Sequence, residues 1–210
     1  MPVAERRAQL VEAALSIAAA EGVRAVTVRR VAERAGVALG VVHYCFADKD
    51  ELLGALATRI VDDLTGAAAD AALKPGDGPD LRAALEVAVL GAWALIEKTA
   101  GEQLLTYEIT THALRTPGLR GVAERQYAAS QAAAERLLGL AAEASGASWQ
   151  RPLADLAAEA LAFVDGVTLR WLADGDGPAA RARLSSFAGY LATQAAVPDR
   201  PPRRRRKAAP

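Results

Sequence analysis

Thr27-Val28-Arg29-Arg30-Val31-Ala32-Glu33-Arg34-Ala35-Gly36-Val37-Ala38-Leu39-Gly40-Val41-Val42-His43-Tyr44-Cys45-Phe46 is the stretch that decides the fold of this 210-residue chain. Thr27 reads as an N-cap, because its hydroxyl can accept from a first-turn amide. The next residues divide into two faces at helical spacing. Val28, Val31, Ala32 and Ala35 form a buried side, and Arg29, Arg30, Glu33 and Arg34 an open one. Gly36 stops this helix. After the turn 36–38, residues 39–45 read as a third short helix. Two short helices joined by a glycine-containing turn are the unit that lays its second helix in the major groove of DNA.

Outward from this unit the pattern stays helical. Before it, Leu10, Ala13, Ala14, Ile17 and Ala18 form one stripe of a first helix over residues 4–20, ended by Gly22. After it, Asp48 and Glu51 form a capping box that opens a long fourth helix over residues 48–73. Residues 74–79, Lys-Pro-Gly-Asp-Gly-Pro, are the strongest loop signal. Five further helices follow: about 80–99, about 102–113, one beginning after Thr116-Pro117 and ending near Ser145-Gly146, one beginning after Arg151-Pro152 and ending at residues 174–177, and one from Pro178 to before Pro198. Prolines at starts and glycines at ends support these limits. No strand pattern and no internal repeat is evident. The expected fold is all-α with about nine helices. Residues 1–54 are expected to form the helix-turn-helix domain and 55–197 a second helical domain. Residues 198–210 are expected to be a disordered basic tail.

Composition narrows the function. Alanine is abundant, and 52% of residues are apolar, which suits a packed helical core. Lys plus Arg and Asp plus Glu each number 25, so overall charge says nothing about partners. Local charge does: residues 22–49 hold five bases (Arg24, Arg29, Arg30, Arg34, Lys49) against two acids (Glu33, Asp48). The lone cysteine, Cys45, excludes an internal disulfide framework and a cysteine-based zinc site. It reads as a small packed residue. No stretch is long and apolar enough to span a bilayer, and residues 1–7 lack the order of a secretory signal, so the cytoplasm is the expected compartment. With two histidines, one cysteine and no HExxH, GxSxG or glycine-rich phosphate loop, no catalytic site, metal or cofactor is expected.

The run 27–37, then Gly40, His43-Tyr44-Cys45-Phe46, Lys49 and Leu52-Leu53, resembles the DNA-binding domain of TetR-type regulators over residues 10–56. Residues 161–172 and 113–120 are similar to their penultimate helix and to the start of their helix 7. The resemblance implies a homodimer paired through helices 8 and 9, and a double-stranded DNA operator. It also implies a small-molecule effector held inside helices 4–8, whose binding alters the spacing of the two heads. Two departures stand out. Ala38 replaces a usual serine or threonine cap, worth about 1 kcal/mol. Cys45 stands where relatives carry Tyr or His.

Phosphate contacts are expected from Thr27, His43, Tyr44 and Lys49. Residues 39–44 hold no Arg, Lys, Asn or Gln, so bidentate purine contacts are absent there. Gly40 would permit close approach, Leu39 or Val41 would meet a thymine methyl, and Arg29 or Arg30 is the candidate for guanine. The plainer reading of the two arginines is a solvated face, and that of His43 or Tyr44 is core packing. On the effector side, Trp93, Leu104, Tyr107, Glu108, Thr111, His112, Tyr127, Phe163, Val167 and Trp171 are the candidates. Glu108 and His112, spaced i, i+4, would form a polar anchor. The plainer reading is that these aromatics fill the core. Gly166 within helix 8 suggests close helix approach at a dimer interface. A helical carrier protein that never touches DNA, and an activator rather than a repressor, remain open.

Overall fold

The computed structural model describes residues 1–72 and 80–196. The loop expected at 74–79 and the basic tail expected at 198–210 lie outside the described residues. Nine α-helices occur among those described: α1 (Val3–Glu21), α2 (Val28–Ala35), α3 (Leu39–Cys45), α4 (Lys49–Ala72), α5 (Leu81–Lys98), α6 (Ala100–Arg115), α7 (Arg120–Ser145), α8 (Leu153–Asp174) and α9 (Gly177–Ala192). A single 3-10 turn, Val23–Ala25, links α1 to α2.

The signals that place the first four helices are visible as hydrogen bonds. Thr27 Oγ1 accepts from the Arg30 amide at 3.3 Å. Gly36 closes α2 at φ 67°, the left-handed conformation that a Cβ disfavours. Ala38 caps α3 with no side-chain bond. Asp48 Oδ1 accepts from Asp50 and Glu51 amides at 2.9 and 2.8 Å, and Glu51 Oε2 accepts from the Ala47 amide at 2.8 Å. The capping box therefore closes one residue earlier than its usual form.

Two boundaries differ from the sequence reading. Only Thr99 separates α5 from α6, so α6 begins two residues before the expected start. The last helix ends at Ala192 instead of running to Pro198. Its exit forms a two-residue antiparallel pairing, Ser148 with Ala196 and Trp149 with Ala195, where no strand was expected. The Gln150 amide donates to the Gln194 carbonyl at 2.9 Å beside it, so main-chain groups that would have continued α9 are satisfied across the α7–α8 connection.

Three apolar clusters hold the chain. The first joins Leu10, Val31, Val42 and Leu56 to Leu105 and Ile109 of α6. The second packs Leu81, Leu85, Leu138, Leu156 and Leu191 together. The third holds Trp93, Ile96, Val167 and Leu184. The first cluster runs from the helix-turn-helix into α6 and α7, and α4 passes residues 54–55 without a break. No helix among the described residues is long and apolar enough to cross a membrane.

Ile109 is fully buried in that shared cluster. Ile109→Ala is expected to cost about 2–5 kcal/mol in urea unfolding. It is also expected to speed amide exchange at Val31 and Val42, although both lie far away in sequence.

Candidate nucleic-acid interface and ligand cavity

The short helix α3 is seated by its inner side. Val42 is fully buried and Cys45 nearly so, while Leu39 is 45% and Tyr44 77% exposed. His43 is exposed, Val41 is half-buried, and a Cβ on Gly40 would meet nothing within 4 Å. His43 and Tyr44 are thus both free of the core. A clamp unforeseen in the sequence holds the far end of α3. Arg7 of α1 donates to the Cys45 carbonyl and to Glu51 Oε1 (2.8 Å for the latter), and its guanidinium lies 4.2 Å from the Phe46 ring centre. Nothing in the spacing of an arginine on α1 announces a partner 38 residues away.

The two arginines of α2 differ sharply. Arg29 is 84% exposed along its side chain and engages only Glu33, at 3.2 Å, on its own helix. Arg30 is drawn back across the first turn. It donates to both carboxylate oxygens of Glu21 and to the Ala25 carbonyl. The hydrogen bond and charge of Arg30 hold the Glu21 carboxyl below its ordinary value. Lys49 is half-buried and donates to the Val23 carbonyl at 3.5 Å. Burial pushes its ammonium pKa down, against the pull of Asp50.

The ten residues named for a ligand site do not come together. Tyr107 and Tyr127 line a cavity of about 220 Å³ enclosed by α4 to α9. Glu108, Thr111 and His112 face the opposite way, into a crevice shared with Gly22, Val23 and Lys49. Glu108 Oε2 there accepts from the Val23 amide at 3.0 Å. Trp93 is buried edge-on against Trp171, ring centres 5.2 Å apart, in the cluster that holds Val167. Phe163 stacks on Phe187 at 4.1 Å, and it is Phe187 that reaches the cavity. Leu104 is 47% exposed. The physical reason is helical geometry: α6 packs on the head with one side and on the cavity with another, so neighbours in sequence serve different places.

The walls are mostly apolar, including Ile60, Leu85, Val89, Leu138, Val164 and Phe187. Asp165 of α8 is the sole charged side chain among the described lining residues. Tyr127 donates to its Oδ2 at 2.9 Å, and Tyr107 donates to its backbone carbonyl at 3.2 Å and its Oδ1 at 3.4 Å. Burial pushes the Asp165 carboxyl up; the two phenols pull it down less strongly. Burial and the Asp165 carboxylate push Tyr127 up to about 12 and Tyr107 higher still, so both remain neutral donors. Gln126 lines the same space. Its amide nitrogen donates to the Thr106 carbonyl at 3.4 Å, and its Oε1 is buried without a hydrogen-bond partner. Sequence reading missed Asp165, Gln126 and Phe187. One signal was present: an acid beside a glycine inside the apolar run 161–172.

The chain is similar to known proteins along most of its length. The model of a family described as "Bacterial regulatory proteins, tetR family" matches residues 10–56. The HTH-type nicotine-responsive transcriptional repressor HdnoR of Paenarthrobacter nicotinovorans is 28% identical over 177 residues, covering 83% of this chain and 87% of the relative. The HTH-type transcriptional regulator BetI of Brucella suis biovar 1 is 29% identical over 194 residues, covering 90% and 91%. Among solved structures, a chain described as a TetR-family transcriptional regulator from Rhodococcus sp. superposes with a TM-score of 0.73. It is 26% identical, and the match covers 90% of this chain and 98% of that one.

The raised carboxyl of Asp165 makes a prediction about stability. In the pH window between its unfolded and its higher folded value, the folded chain holds a proton that the unfolded chain has lost. Stability is therefore greatest below that window and falls as pH rises through it. Asp165→Asn removes this loss. Its melting temperature at neutral pH is expected to equal or exceed that of the parent, and its stability curve to be flatter as pH rises above the ordinary carboxylate range. Thermal melts across pH check this.

Proposed function

We propose that the chain is a TetR-type helix-turn-helix transcriptional regulator, a homodimeric repressor released from a palindromic operator by a small molecule. The observation that carries this reading is α3. Its inner side is buried, and its outer side presents Leu39, Gly40, His43 and Tyr44 to solvent. A seven-residue helix so exposed is suited to a groove.

Residues 1–54 act as the DNA-binding head, and residues 55–197 hold the effector and the partner chain. Thr27, His43, Tyr44 and Lys49 position the head on phosphates. The hydroxyl of Thr27 accepts from Arg30 but keeps its proton to donate. Of the two arginines, Arg29 is the base reader, because Arg30 is committed to Glu21. Leu39 and Val41 offer apolar contact to thymine methyls. Pairing of two chains uses α8 and α9, where Leu169 and Tyr190 stand exposed and a Cβ on Gly166 would meet nothing within 4 Å of its own chain. A DNA partner puts the working protein in the cytoplasm, and no catalytic role, cofactor or metal is proposed.

Release follows from α6. Tyr107 touches the cavity, and the next residue, Glu108, holds the Val23 amide at the base of the head. An effector that displaces Tyr107 moves Glu108 with it. Through the 3-10 turn and Lys49, that shift alters how α1 and α4 hold α3. Two heads joined by one dimer interface then lose the spacing that one operator demands.

A palindromic duplex from upstream of the chain's own gene tests this by fluorescence anisotropy. Two subunits are expected per duplex. A chain that sediments as a single 21.9 kDa subunit and ignores duplexes at low ionic strength overturns it. Lys49→Ala is expected to weaken binding to all sequences alike and to lower the salt slope by about one unit. Arg29→Ala is expected to relax preference at one base position in each half-site, read by selection from a randomised operator pool.

A further inference from the structure

The cavity holds one carboxylate, one buried amide oxygen without a partner, and no positive charge among its described lining residues. Asp165 brings a charge that the protein answers only with two neutral phenols, from Tyr107 and Tyr127. No lysine, arginine or histidine stands among the described lining residues. Gln126 immediately precedes Tyr127 on α7. It is 8% exposed, its amide nitrogen is occupied by Thr106, and its Oε1 has no partner. Buried acceptors left in this state are costly, and a buried charge without a counter-charge costs more. The rest of the wall is mostly aliphatic or aromatic, and its other polar side chains, Gln103, Thr106, Ser130 and Thr168, carry no charge.

We propose that the effector is a small organic cation with an apolar body, whose ammonium group is held by Asp165 and Gln126 Oε1 between the rings of Tyr107 and Tyr127. An ammonium offers donors and a positive charge, the complement of the Asp165 carboxylate and of Gln126 Oε1. Its charge also gains from the electron-rich faces of the two phenols. The anchoring hydrogen bonds are charge-assisted, and the low-polarity walls strengthen them. Size fits a single-ring compound, since an apolar cavity of about 150 Å³ already accepts benzene and this one measures about 220 Å³. An anionic effector would meet Asp165 at close range with no cation to offset it. A neutral one would leave the charge unanswered. The proposal rests on the reading of this cavity as the effector site.

Three ring compounds of matched size separate these cases: 2-phenylethylamine, 2-phenylethanol and 3-phenylpropionate, each with homologues one carbon shorter and longer. Calorimetric titration into the full-length dimer, without DNA, is expected to show an amine binding at least about tenfold tighter than its alcohol. No carboxylate is expected to bind. In Asp165→Asn, which keeps the shape, an amide oxygen for Tyr127 and the backbone carbonyl for Tyr107, the amine should lose that advantage while the alcohol keeps its affinity. The first comparison needs no variant, so it stands whatever the variant does. An alcohol that matches its amine, a preference that survives Asp165→Asn, a carboxylate that binds best, or no binding by any amine overturns the proposal. A parallel operator titration keeps the two readings apart. Amine binding by a chain that never holds DNA sinks the regulator and leaves the cation site. Operator release by neutral compounds alone sinks the cation site and leaves the regulator.

Discussion

The shared apolar cluster between the helix-turn-helix and α6 is the constraint on which everything else depends. Leu10, Val31, Val42 and Leu56 of the first four helices share one buried cluster with Leu105, Ile109 and Val122 of α6 and α7. A head that small buries too little apolar surface to be firmly stable by itself. Leaning on α6 solves the stability problem and creates a mechanical one. Any displacement of α6 reaches the helices that hold α3, because close-packed side chains transmit strain. Coupling between cavity and head is then a consequence of how the head is stabilised, and no separate relay is required.

Asp165 shows the opposite economy. A carboxylate in an apolar cavity weakens the free protein, since burial disfavours its charged form. Asparagine at that place would keep an acceptor oxygen without the charge. Tyr107 and Tyr127 lessen the cost without removing it, because both are donors with no charge to give. They also fix the carboxylate's direction, one from α6 and one from α7. The same three residues therefore join α6, the helix that touches the head, to the far wall of the cavity.

The helices were legible in the sequence because their signals are local. Thr27, Gly36, Asp48 and Gly146 mark ends by chemistry confined to one turn, and the stripe through Leu10 and Ile17 needs only the period of a helix. The cavity was largely illegible because it is made of six helices whose mutual rotation no single period encodes. Trp93 and Trp171 carry the composition of a pocket, yet they pack against each other. Glu108 and His112 share a helix face as their spacing required, but that face meets the head. The pairing at Trp149 and Ala195 was invisible for the same reason: it depends on where α9 delivers the chain, and two residues carry no periodicity. Likewise the division of labour between Arg29 and Arg30 rests on Glu21, nine residues before Arg30 and across a glycine turn.

The weakness of α3 as a helix completes the picture. Seven residues are too few to stay helical in water without help, and this segment lacks a side-chain cap and carries β-branched Val41 and Val42. Its shape is therefore imposed from outside: by Val42 and Cys45 within the core, and by Arg7 grasping the Cys45 carbonyl, Glu51 and the Phe46 ring. Arg7 sits on α1 and Glu51 on α4, the two helices that also pack on α6. A helix that owed its form to its own sequence would ignore small movements of its supports. One that owes it to α1 and α4 must follow them. The exposed side of α3 is thus set by the two helices that share the apolar cluster with α6.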